Sequence, residues 1–91
     1  MRTITLADNS VYEVSRCGAD GGYLWINLTS PLGMVEAVNI FADPEKTATI
    51  THDFDSNDHV IFEGYTKLSR LSDLGGIFEI VLQRVEGSGD A

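Results

Sequence analysis

The densest run of side chains with metal-binding chemistry is Thr51-His52-Asp53-Phe54-Asp55-Ser56-Asn57-Asp58-His59. Asp53, Asp55 and Asn57 alternate as the first three ligands of an EF-hand loop do, where carboxylate and amide oxygens converge on a hard cation such as Ca²⁺. The correspondence stops there. Asp58 stands where that loop needs a glycine hinge, Gly64 stands where it needs a bidentate glutamate, and the flanking residues do not read as helices. A hairpin tip selects the same Asp, Asn and Ser residues for their turn chemistry alone. The segment is therefore read as a turn, with Asp53, Asp55 and Asn57 as weak Ca²⁺ candidates and no cofactor expected.

Nucleophilic chemistry has less to build on. Cys17 is the only cysteine, and a reactive thiolate needs a base and an electropositive setting that neither histidine is placed in sequence to supply. Gly18, Gly21 and Gly22, like Gly75 and Gly76, lack the lysine and the strand-to-helix context of a phosphate loop. No Ser/His/Asp set has a recognisable local context, and among 14 acidic residues nothing singles out a catalytic pair. The expectation is a protein that is not an enzyme.

The elements that would position these residues are mostly strands. Met1 to Leu6 and Val11 to Cys17 alternate as a hairpin around Ala7-Asp8-Asn9-Ser10. Gly18 to Gly22 supplies a second reversal. In Tyr23 to Thr29, Leu24, Ile26 and Leu28 fall on one face and Tyr23, Trp25, Asn27 and Thr29 on the other. The period then changes. Ser30 can cap a helix with Pro31 at its first position, and Leu32, Val35, Val38 and Ala42 recur at spacings of three and four, with Met34, Ala37 and Phe41 widening the stripe. Asp43-Pro44 ends this helix, predicted over Pro31 to Ala42. Strands return at Thr47 to Phe54, at His59 to Leu68 with Gly64 marking a bulge or a close backbone approach, and at Ile77 to Val85, with Ser69 to Gly76 as a loop.

The expected architecture is one α+β domain over residues 1–85 in the order βββαβββ, followed by a frayed tail over 86–91. Leu24, Ile26, Leu28, Val35, Val38, Ile50, Phe62, Ile80 and Leu82 are expected in the core. Apolar side chains fall on both faces of the mostly antiparallel six-stranded sheet. The sheet should therefore curl towards a barrel or sandwich, or bury its second face against another chain. On that second reading Tyr23, Trp25 and Tyr65 form an aromatic interface row, near which the chain associates with at least one other copy.

Composition narrows the partners. Ninety-one residues with a net charge of −8 and six scattered basic residues do not offer the cationic stripe that phosphate binding requires. Neither a membrane span nor a signal-peptide core can be read from the sequence, and a lone cysteine suits a reducing compartment. Neither nucleic acid nor a membrane is expected as a partner, and the expected location is the cytoplasm. From Asp43 to Glu63, six carboxylates (Asp43, Glu45, Asp53, Asp55, Asp58, Glu63) stand against Lys46 alone. Such a track can imitate nucleic acid in a basic cleft, although acidic surfaces serve solubility in general.

Several short stretches, Thr3-Ile4-Thr5-Leu6-Ala7-Asp8, Tyr12-Glu13-Val14, Cys17-Gly18-Ala19, Leu24-Trp25-Ile26, Glu36-Ala37, Phe41 with Asp43-Pro44 and Thr47, and Gly64-Tyr65-Thr66, occur in a spacing that resembles a group of small uncharacterised proteins encoded by bacteriophages and prophages of Gram-positive bacteria. The likeness runs from Met1 to about Val85. It implies a phage or prophage genome expressed in a bacterial host, and no activity or site residues. The expected function is that of a non-enzymatic structural or assembly protein, cytoplasmic or carried in the virion, that works through contacts with itself or with phage structural proteins. The alternatives are a host-directed acidic inhibitor that mimics nucleic acid and a weak Ca²⁺-binding module.

Overall fold

The structure is a computed structural model and describes residues 2–54 and 58–85. Seven strands and two helices follow in the order β1 (Thr3–Thr5), β2 (Val11–Asp20), β3 (Tyr23–Leu28), α1 (Met34–Phe41), α2 (Pro44–Thr47), β4 (Thr49–Asp53), β5 (His59–Glu63), β6 (Lys67–Asp73) and β7 (Phe78–Gln83). All pairings are antiparallel, in one sheet of order β5-β4-β1-β2-β3-β7-β6. The α+β class and the antiparallel sheet agree with the sequence reading.

The strand count does not. The stretch expected to be one strand from His59 to Leu68 divides at Gly64, whose φ of 88° turns the chain out of the pleat. Gly64 donates its N–H to the carbonyl of Ala48 and accepts from the N–H groups of Thr66 and Val85. It thus ties the start of β4 to the end of β7 instead of bulging within one strand. The second half, β6, occupies much of the expected loop. An extra residue between Leu68 and Arg70 shifts its register against β7, so its apolar residues Leu68 and Leu71 are three apart and the two-residue alternation that marks a strand is lost.

The expected curling into a barrel or sandwich is not found. β5 and β6 stand at the two ends of the sheet, each paired with one neighbour. Outward-facing positions explain why the sheet can stay open. The face opposite the core carries Asn27, Glu79 and Ser72 in one cross-strand row, and Gln83 and Lys67 beside Tyr23 in another, so most of it is compatible with water.

The other face carries the core, a single cluster that includes Ile4, Leu6, Val14, Leu24, Ile26, Leu28, Ile50, Phe78, Ile80 and Leu82 from the sheet side and Ala37, Ile40 and Phe41 from α1. Register places Leu24 between Ala19 and Leu82, and Ile26 between Cys17 and Ile80. Of the residues expected in the core, Phe62 is only half-buried. Val35 and Val38 are exposed, at 74% and 37%.

That last departure follows from the helix. Ser30 does not cap it. Its Oγ accepts the N–H of Glu13 at 2.6 Å, so Ser30 to Gly33 is spent on crossing back over β2, and α1 begins at Met34 with Gly33 as an N-cap lacking a side-chain bond. In Met34–Phe41 only Glu36 and Asn39 are polar. Apolar residues fill the remaining arc, so spacing alone permits more than one inward face. Ile40 and Phe41 bury more area than Val35 and Val38 can, and they decide the phase. Phe41 is fully buried, and its ring centroid lies 6.4 Å from that of Tyr12. The helix stops before Asp43, as the following proline demands. Asp43 then caps α2 through its side chain, which accepts from the N–H of Glu45 at 3.0 Å.

Candidate functional site

The rotation of α1 sets Met34, Val35 and Val38 towards solvent, 42%, 74% and 37% exposed. Met34 and Val35 border a groove of about 800 Å³ between α1 and the start of β2, lined also by Tyr12, Gly33, Ile40 and Lys46. Asn39 and Glu36 supply its polar rim. Val35 was placed in the core by the sequence, so this surface was missed there. The signal was present in a helix with too many apolar residues for one face.

A second feature is built on β3. Trp25 projects from the face opposite the core and lies across Gly18 of β2, its register partner. A methyl group added at Gly18 would stand 2.6 Å from Cη2 and 2.8 Å from Cζ2 of the indole. The glycine is therefore the seat of the ring. Arg16 brings its guanidinium 5.3 Å from the ring centroid, and Val81 flanks Trp25 from β7. Trp25 is half-buried by these neighbours, while Tyr23, two residues away on the same face, is 41% exposed. Across the same face Arg70 pairs with Glu79 at 3.1 Å.

Tyr65 does not join this row. It sits in the Gly64–Thr66 link and meets Phe62 edge-on at 6.1 Å, beside a depression of about 390 Å³ lined also by Ile61, Glu63 and Arg84. The expected aromatic trio is thus a pair on β3 and a separate tyrosine at the corner between β5 and β6.

Of the metal candidates, Asp53 ends β4 opposite His59, and Asp55 and Asn57 lie outside the described residues. Among the described residues no three His, Cys, Asp or Glu side chains come together to hold an ion. Cys17 faces the core opposite Ile26, and burial pushes its thiol up to about 12, which leaves almost no thiolate at neutral pH. His52 is buried on the core face of β4, between Ile4 and Val60. Among the described residues its Nε2 has no hydrogen-bond partner, and burial, helped by the charge of Arg2, lowers its pKa despite the opposing effect of Asp53.

No family model, curated protein or solved structure matches the chain.

The described residues of the acidic track are divided between the β4/β5 strand pair and α2. Asp53 and Glu63 sit at opposite ends of the β4/β5 ladder, and Asp43 and Glu45 belong to the start of α2. Among the described residues no helix is long and apolar enough to cross a membrane.

Proposed function

We propose that the chain is a non-enzymatic structural or assembly protein that works by binding other proteins, in the phage or prophage setting its sequence resemblance implies, and that the outer face of α1 receives a protein partner. The observation that carries this reading is the exposure of Met34, Val35 and Val38 on a helix whose opposite side is core. Three large apolar side chains on one helix face, two of them beside a groove whose lining includes Glu36 and Asn39, have the composition of a contact surface. The groove is open to solvent, and Lys46 in its lining offers a cation to an acidic partner.

The test is a photoreactive amino acid placed at Val35, with cross-linking in bacteria that are producing phage. The expected product is a covalent adduct with a phage-encoded protein, lost when Val38→Asp is added. Adducts confined to a host nuclease or polymerase would transfer the reading to the inhibitor that mimics nucleic acid. A folded protein that forms no adduct from this position would overturn the proposed contact.

A further inference from the structure

The two edges of the sheet are not equally guarded. β6 carries Lys67, Arg70 and Asp73 and an irregular register next to Leu68, all features that discourage strand addition. β5 has a regular register along its whole length and reads His59-Val60-Ile61-Phe62-Glu63, with Val60 41% and Ile61 52% exposed. Two hydrogen bonds fix which of its main-chain groups are free. Gly64 donates to Ala48, and Phe54 donates to Asp58, so even-numbered residues of this segment direct their N–H and C=O groups towards β4. In an antiparallel ladder the direction alternates. His59, Ile61 and Glu63 therefore direct theirs outward, away from the sheet.

We propose that β5 pairs antiparallel with β5 of a second copy of the chain, about a two-fold axis at Ile61. This goes beyond the α1 contact and uses a separate surface. In that register Ile61 opposes Ile61 of the partner and His59 opposes the partner's Glu63. Each such pair exchanges two main-chain hydrogen bonds from groups that, among the described residues, have no other main-chain partner. Side chains match as well. His59 and the partner's Glu63 share the outer face, where an imidazole N–H can donate to the carboxylate, and Val60 meets the partner's Phe62 on the inner face. The partner's Asp58 falls opposite Gly64, beside which Arg84 lies, with its Cγ 3.6 Å from the position a Cβ at Gly64 would take. For a chain of net charge −8, association has to set carboxylates against cations and donors, and this register does so for both Glu63 and Asp58. A copy displaced by one residue would set outward-directed main-chain groups against residues whose own groups face inward, and would bring the partner's Phe62 onto the outer face.

The proposal is tested by sedimentation over a micromolar to millimolar concentration series, together with residue-resolved amide exchange. A dimer is expected, with the amides of His59, Ile61 and Glu63 exchanging freely in dilute solution and becoming protected as concentration rises. Ile61→Pro removes one outward N–H from each copy and no bond to β4, so it should remain folded while weakening the dimer by about 10- to 100-fold. His59→Glu should also weaken it, and adding Glu63→Lys to that variant should restore it. A monomer at every concentration would overturn the proposal. So would a dimer indifferent to Ile61→Pro, or one not restored by the charge exchange. Val35→Asp is expected to leave the dimer intact, so loss of the α1 contact and loss of β5 pairing can be told apart.

Discussion

Gly18→Ala isolates the seat of Trp25. The added methyl would stand 2.6, 2.8 and 3.2 Å from three indole carbons, and contacts that short force the ring to swing out or the two strands to part. Overpacking of this kind costs about 1 to 3 kcal/mol. Displacing the ring also removes the Arg16 contact at 5.3 Å, worth about 0.5 to 1 kcal/mol at an exposed site. Against this, alanine is better than glycine within a strand by about 0.5 to 1 kcal/mol. The last two contributions roughly cancel, so the balance is a loss of about 1 to 3 kcal/mol, with the melting temperature falling roughly 5 to 25 °C for a chain of this size. Urea unfolding followed by far-UV circular dichroism measures the loss. Fluorescence of the sole tryptophan should shift to the red and quench more readily with acrylamide. The decisive comparison is the same substitution made with Trp25→Leu, where the obstructing ring is gone and Gly18→Ala should be neutral or stabilising by up to about 1 kcal/mol. An equal loss in both backgrounds would refute the seat.

Three further outcomes follow from the packing. Phe41→Ala should cost about 3 to 5 kcal/mol in a chemical melt, since that ring is fully buried. Val35→Asp should leave stability within about 0.5 kcal/mol or raise it, because the side chain is exposed and an acidic group in the first turn of a helix is favourable. For His52, the folded protein favours the neutral ring, so protons bind the unfolded chain first and stability falls as pH drops below about 6.5 towards the lowered folded value. His52→Leu should flatten that acid limb relative to the parent in paired melts at pH 7 and pH 5, and an unchanged slope would remove His52 as its source.

What the sequence disclosed depended on how strictly each segment kept its period. Leu24, Ile26 and Leu28 alternate without interruption, and the inward face and the burial of β3 follow from that alone. The helix was legible as a helix but not in its phase, because two polar residues in eight leave the inward side to be chosen by tertiary packing, and Phe41 chose it. β6 was invisible because one inserted residue broke the alternation. The candidate surfaces were legible only in part. Tyr23 and Trp25 do share a face, yet Tyr65 was joined to them through a strand that Gly64 in fact terminates. The surplus of apolar residues in α1 signals that some of them face outward but not that Val35 does, which packing of Ile40 and Phe41 decides, and nothing local signals that β5 is an edge, which depends on the order of strands in the finished sheet.

The open sheet and the exposed helix face have a common cause. A chain of this length has limited apolar area, and the fully buried share of it lies on one face, from Leu24 and Ile80 at the centre to Ile4 and Ile50 in the other half. Closing the sheet would require a second apolar face, and the rows around Asn27 and Gln83 do not supply one. The domain therefore has little stabilisation in reserve for features that only meet water. A helix whose outer side faced solvent alone would be better specified by polar residues at positions 34, 35 and 38, which would remove the ambiguity of phase without cost to the core. The same reasoning applies at the rim of the sheet, where a lysine or proline in place of Ile61 would guard the edge. Met34, Val35, Val38 and Ile61 weaken the definition of the isolated fold, a cost that the contacts proposed at α1 and β5 would offset.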